Sequence, residues 1–222
     1  GAVEGRPWVR LDWIDGADLA ALATGAAVPE RVACFVLAEV LTALSFLHAA
    51  ADERGRPLGL VHRDVSSTNV LVSLAGEVKL GDFGIAKATL LKDQTRGGVR
   101  KGTYASMSPE QVSGRPLSGS SDVFSAGVLL VELLTGSRPF DGSTPVETME
   151  RIREASLPSL DGVAVALRPT LAAMLSKEPG QRSTARSLAQ TLRAFAADEF
   201  EVAVWAHERN ALRRTTLEAS DE

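Results

Sequence analysis

Three short runs stand in chain order and carry residue types that phosphoryl transfer needs. They are His62-Arg63-Asp64 with Asn69 five residues past the aspartate, Asp82-Phe83-Gly84, and Ser108-Pro109-Glu110. That chemistry requires one carboxylate to orient a hydroxyl and accept its proton, and oxygen ligands to hold magnesium against nucleotide phosphates. Asp64, on a loop, suits the first task. Asn69 and Asp82 suit the second, if something brings two positions 13 apart (82 − 69) to one place. Singly, each run has an ordinary structural explanation: Asp-Phe-Gly reads as a turn and His-Arg-Asp as a polar loop. Their order and spacing together are specific.

The element that must position them is a hairpin. Val70-Leu-Val72 and Glu77-Val-Lys-Leu80 flank the turn residues Ala75-Gly76, so Asn69 enters the first strand and Asp82 follows the second. Upstream, Trp8 to Ile14 alternates bulky and polar residues and reads as a strand ending at an Asp15-Gly16 turn. Asp18 can cap a short helix through Leu22. From Pro29 to about Ala50, Val32, Phe35, Val36, Val40, Leu44 and Leu47 recur at helical spacing. Residues 84–109 show no period and predict a long loop, of the kind that is usually functional or disordered. Beyond it come a buried apolar helix beginning at Asp122, then helices over 144–155, 163–175 and 183–197. A charged tail over 198–222 reads as a terminal helix with a frayed end. The fold class is mainly α with one short β-hairpin.

Bulk properties narrow the partners. The 222 residues are 45% hydrophobic and 23% charged, as in an ordinary soluble globular domain, and the net charge of -4 gives no reason to expect nucleic acid. Cys34, the only cysteine, excludes disulfide frameworks and cysteine-rich zinc sites and fits a reducing, cytoplasmic setting. It stands in an apolar helical stretch and reads as a small core residue. No basic stretch followed by an apolar run opens the chain. The apolar segment Val123 to Leu134 is shorter than the roughly 20 residues a bilayer demands, so no membrane segment is expected. A first residue of Gly rather than Met reads as a fragment or processed product.

With these motifs on the page, the chain resembles the eukaryotic-like protein kinases from about Trp8 to Ala197. Val61-His-Arg-Asp-Val-Ser66 and Gly84-Ile-Ala-Lys87 look most like bacterial serine/threonine members. The resemblance implies a kinase-like C-lobe of the α+β family over 19–197, with residues 1–18 as the last N-lobe strand and hinge. It implies ATP, Mg2+ and a protein substrate. Asp64 would be the catalytic carboxylate, Asn69 and Asp82 the magnesium ligands, and Thr103 the partner of Asp64. Leu11 would be the gatekeeper, Asp12 to Ile14 would face adenine, Asp18 would lie near the ribose and Leu71 under the base. His62 and Phe83 would belong to the apolar column that aligns the site, and Gly84 would complete the magnesium loop. Asp122 would brace the catalytic loop, and Arg182 would pair with Glu110. Arg63 would receive a phosphate placed on Thr95 or, second, Thr89. His48 reads as a helix-end or core histidine.

The sequence also departs from that pattern. The ten residues before the hinge hold no Gly-rich phosphate loop, and the first lysine is Lys79, after the catalytic loop. Ser66 and Thr68 stand where serine/threonine and tyrosine kinases, respectively, place a lysine and an arginine; Ser106 replaces a usual tyrosine. The 222 residues alone are therefore expected to transfer phosphate poorly and to expose Leu11, Ile14 and Leu71. Two readings stand: a partial domain transferring the ATP γ-phosphate to a protein Ser/Thr hydroxyl, or a pseudokinase or truncated lobe acting as a binding module.

Overall fold

A computed structural model describes residues 2–3, 6–7, 12–24, 27–82, 104–156 and 159–218. In order these form β1 (Ala2–Val3), β2 (Arg6–Pro7), β3 (Gly16–Asp18), α1 (Leu19–Leu22), α2 (Glu30–His48), β4 (Val70–Ser73) and β5 (Val78–Leu80). Then come α3 (Pro109–Val112), α4 (Gly119–Thr135), α5 (Pro145–Glu154), α6 (Arg168–Met174), a 3-10 turn at Pro179–Gln181, α7 (Ala185–Arg193) and α8 (Glu199–Glu218). The chain is mainly helical. β1 pairs with β2, and a separate antiparallel sheet has the order β3-β4-β5.

Two helices make the centre. α2 buries Val32, Ala33, Cys34, Val36, Leu37, Ala38, Val40, Leu41 and Leu44, and it packs against α4 and α7. Among the described residues it alone is long and apolar enough to span a bilayer by length and composition. Here those apolar residues line the protein core. α4 is buried almost all round, from Ser121 to Val131, which is the pattern of a helix enclosed by its own domain. It starts three residues before Asp122, because Ser118 and Ser121 form a reciprocal cap ahead of it. Asp122 therefore lies in the first turn, where the helix dipole favours a carboxylate. Gly136, at φ 71°, closes α4 in the left-handed conformation that residues with a Cβ adopt at a penalty.

The hairpin forms where expected, with Val70 opposite Leu80 and Leu71 opposite Lys79. Of the strand expected over Trp8 to Ile14, residues 12–14 are irregular and Trp8 to Leu11 lie outside the described residues. A strand forms at Gly16–Asp18, where a turn was read, with Asp18 opposite Leu71 and Gly16 opposite Ser73. Alternation marks a segment able to be a strand, whereas a free β4 edge decides which segment becomes one. Two helices are shorter than their apolar periods: α6 begins only at Arg168, and α7 begins after Thr184, whose hydroxyl accepts from Ser187 N. The charged tail is a 20-residue helix that buries Val202, Trp205 and Ala206 in the core.

Candidate active site

The hairpin brings the two separated oxygen donors together. Gly81 N–H donates to Asn69 O at 2.8 Å, extending the ladder one residue beyond β5. Asp82 follows directly, in the left-handed region at φ 51°. Asn69 Nδ2 donates to the Asp64 carboxylate at 2.7 Å and to the Asp64 carbonyl at 2.8 Å. Since the amide nitrogen donates to Asp64, the amide oxygen is the group left to accept or to ligate. Asp64, Asn69 and Asp82 thus occupy one end of the hairpin. An amide oxygen beside carboxylates is a hard-oxygen set, and it fits magnesium completed by phosphate and water.

Asp122 holds the loop in front of this set. Its Oδ2 accepts from His62 N and its Oδ1 from Arg63 N, each at 2.8 Å, and the side chain is 1% exposed. Arg63 has φ 71°, a strained conformation for a residue with a long side chain. The two Asp122 bonds and a third, from Gln111 Nε2 to Arg63 O at 2.9 Å, offset that strain. His62 is fully buried. Its Nδ1 accepts from Asp64 N at 3.4 Å, which leaves Nε2 to donate to Gly81 O at 3.0 Å. Burial lowers the His62 pKa, outweighing the neighbouring carboxylates of Asp122, Asp64 and Asp82 that raise it. The neutral ring ties the catalytic loop to the strand end that carries Asp82. Phe83 and Gly84, expected beside it, lie outside the described residues.

A second buried pair anchors the far side. Arg182 Nη1 and Nη2 reach Glu110 Oε1 and Oε2 at 2.6 and 3.1 Å, and Ser121 Oγ donates to Glu110 Oε1 at 2.7 Å. Arg182 also donates to the carbonyls of Ser120, Ser176 and Lys177 and lies 4.9 Å from the Phe124 ring centroid. Burial alone would raise the Glu110 carboxyl, but the hydrogen bonds from Arg182 and Ser121 hold it below the usual range.

The nucleotide-side expectations meet the structure unevenly. Asp18 Oδ1 caps α1 by accepting from Ala21 N at 2.8 Å, so its carboxylate is fixed at a strand–helix junction opposite the half-buried Leu71. Asp12 is exposed and Ile14 half-buried in the irregular segment before β3. Leu11, Thr89, Thr95 and Thr103 lie outside the described residues. Ser66 and Thr68 are in hydrogen-bond contact, Oγ to Oγ1 at 3.0 Å. One residue was underrated. His48 ends α2 as expected, yet its Nε2 meets Asp122 Oδ2 at 2.8 Å across 74 residues of chain. Nothing local in Phe46-Leu-His48 signals a partner so remote.

Comparison with known proteins matches the protein kinase domain over residues 5–192. The chain is 33% identical over 210 residues to the tyrosine-protein kinase MasK of Myxococcus xanthus, covering 89% of this chain and 32% of that protein. It is 36% identical over 181 residues to the serine/threonine-protein kinase PknL of Mycobacterium tuberculosis, covering 79% and 43%. It is 33% identical over 184 residues to human serine/threonine-protein kinase PAK 4, covering 82% and 30%. The chain thus spans less than half the length of each. The braced Asp64 loop, the Asn69–Asp82 hairpin end and the Arg182–Glu110 pair all lie inside the matched segment, and this chain belongs to the protein kinase domain family.

Proposed function

We propose that this chain is the catalytic-loop lobe of a kinase that transfers the ATP γ-phosphate to a serine or threonine hydroxyl of a protein. The observation that carries the reading is the 2.7 Å bond from Asn69 Nδ2 to the Asp64 carboxylate at the hairpin end that also bears Asp82. Asp64 would orient the incoming hydroxyl and take its proton as the phosphoryl group departs from ADP. Asn69 Oδ1 and the Asp82 carboxylate would hold magnesium, which supplies charge neutralisation for the phosphates when bound. Asp122 keeps the strained loop in place so that Asp64 is positioned before substrate arrives. Leu71, Ile14 and Asp18 would line the base and ribose side.

Serine or threonine is favoured over tyrosine because Thr103 matches the family threonine that goes with Ser/Thr substrates and because PknL and PAK 4 bear serine/threonine-kinase names, although MasK bears a tyrosine-kinase name. The 222 residues hold no lysine before Lys79, so no phosphate-facing lysine is assigned within them. A second reading, a binding module, is favoured by the neutral Ser66–Thr68 pair in place of a phosphate-steadying cation. Full-length protein with Mg-ATP and a generic protein substrate, read by phosphoamino-acid analysis, separates these. Phosphoserine or phosphothreonine is expected, falling roughly 10²–10⁴-fold in Asp64→Asn. Phosphotyrosine alone would overturn the hydroxyl assignment. No transfer by folded wild type, with partner binding intact, would favour the module.

A further inference from the structure

The family match ends at residue 192, and α8 begins beyond it, yet α8 packs against α1, α2, β3 and β4. Those elements carry the metal end of the hairpin and the Asp18 edge. Its contacts are specific at the first turn and near its middle. At the first turn of α8, Gly76 of the hairpin turn (φ 91°) presses on the helix backbone. A Cβ there would lie inside van der Waals contact of the Glu199 carbonyl oxygen and 3.2 Å from Ala203 N. Arg209, two and a half turns on, donates through Nε to Leu22 O at 2.6 Å and through Nη2 to Thr24 O. Those carbonyls close the C-terminus of α1, where a cation complements the helix end. Between them Val202, Trp205 and Ala206 are buried. Arg31 and Glu201 form a two-pronged pair at 3.0 and 3.2 Å, and Ala197 N donates to Arg31 O at 2.8 Å, so the entry to α8 is stapled to the start of α2.

We propose that α8 is a positioning strut for the nucleotide–metal side of the site, acting through Gly76 on the hairpin and through Arg209 on α1; this rests on the function proposed above. The hairpin is a short rigid lever. Each arm runs four residues, from Asn69 to Ser73 and from Val78 to Asp82, about 13 Å at roughly 3.3 Å per residue. Tilting the hairpin by about 4° therefore moves the metal end by about 1 Å, a displacement on the order of that which weakens catalysis 10²-fold. Gly76 fixes the turn because only a residue without Cβ lets α8 seat this closely. Arg209 fixes α1, whose N-cap is Asp18, and so holds the ribose edge against the same helix. The strut bears on Asn69, Asp82 and Asp18 through the hairpin and α1. The Asp122 and Glu110–Arg182 braces make their hydrogen bonds elsewhere, to His48, His62, Arg63 and Ser121 and to the carbonyls of Ser120, Ser176 and Lys177.

The test uses full-length protein carrying Gly76→Val, Arg209→Ala or Arg209→Lys, with Ile152→Val in α5 as a control for general stability loss. Amide hydrogen exchange at Gly81, whose N–H bonds Asn69 O, is expected to speed up at least tenfold in Gly76→Val. Arg209→Ala is expected to do the same to the Ala21 amide that Asp18 accepts. The magnesium concentration and ATP KM for half-maximal transfer should rise about fivefold or more, with the protein-substrate KM within twofold of wild type. Arg209→Lys should recover part of the effect, since an ammonium reaches one carbonyl where the guanidinium reaches two. Exchange and magnesium dependence that move no more in these variants than in an equally destabilised Ile152→Val protein would overturn the strut. Altered exchange in a protein that never transfers phosphate would leave the strut standing and sink the proposed function instead.

Discussion

Replacing Arg182 with alanine tests a fully buried ion pair and the backbone carbonyls gathered around it. The side chains of Arg182 and Glu110 are 0% and 2% exposed, and their two bonds are accompanied by three from Arg182 to backbone carbonyls. Arg182→Ala leaves a carboxylate buried with only Ser121 as a side-chain donor, and three carbonyls without their guanidinium. Breaking a buried pair from one side costs about 3–5 kcal/mol. For a chain of this length each kcal/mol lowers Tm by about 2–4 °C, so the loss is about 6–20 °C at pH 7. The pH dependence carries a sign. In the wild type the Glu110 pKa is held below its ordinary 4.5, so its contribution is present above that value and lost as pH falls through the depressed one. Without Arg182, burial dominates and pushes the carboxyl upward. The variant then relieves its buried charge by protonation at mildly acidic pH. Calorimetric Tm values from pH 7 to 5 should show the gap between variant and wild type narrowing. A Tm loss under about 3 °C, or a gap that widens as pH falls, would refute the reasoning. Arg182→Lys should recover only part, because one ammonium cannot replace a planar fork with five donors.

Two further outcomes follow from buried titratable groups. Burial depresses the His62 pKa, so its neutral ring contributes stability that is present above its ordinary 6.5 and lost as pH falls below it. His62→Phe should flatten that part of the Tm–pH curve, and a curve unchanged between pH 7 and 5 would count against a neutral buried ring. Cys34 is fully buried, and burial, with a smaller push from Glu30, raises its thiol to about 12. Ellman's reagent at pH 8 should react only as fast as the protein unfolds, and full labelling of the native protein within seconds would contradict that packing.

The chemistry was legible because it depends on local order. His62-Arg-Asp64, Asn69 and Asp82 had to flank a hairpin, and Val70 to Leu80 has a hairpin's period and turn residues. The helix α2 was visible in the same way, from apolar spacing and its opening proline. Boundaries were less so. α4 begins at Gly119 because Ser118 and Ser121 cap each other, an exchange of hydrogen bonds that apolar periodicity does not register. The strand at Gly16–Asp18 was not read, because pairing with β4 is a contact across more than 50 residues.

What the chain's order of residues determined by itself is the set of reactive groups and the hairpin that gathers Asn69 and Asp82, since both depend on near neighbours. Tertiary structure decided which distant atoms meet. It set His48 and two backbone N–H groups on a single Asp122 carboxylate, 74 and about 60 residues away. It also turned a charged tail into a helix seated against Gly76 and α1. Those contacts join segments whose separate patterns are unremarkable. They form because burying Trp205, Val202 and Ala206 against the sheet and α1 removes apolar surface from water, and only a folded core presents a surface on which to do so.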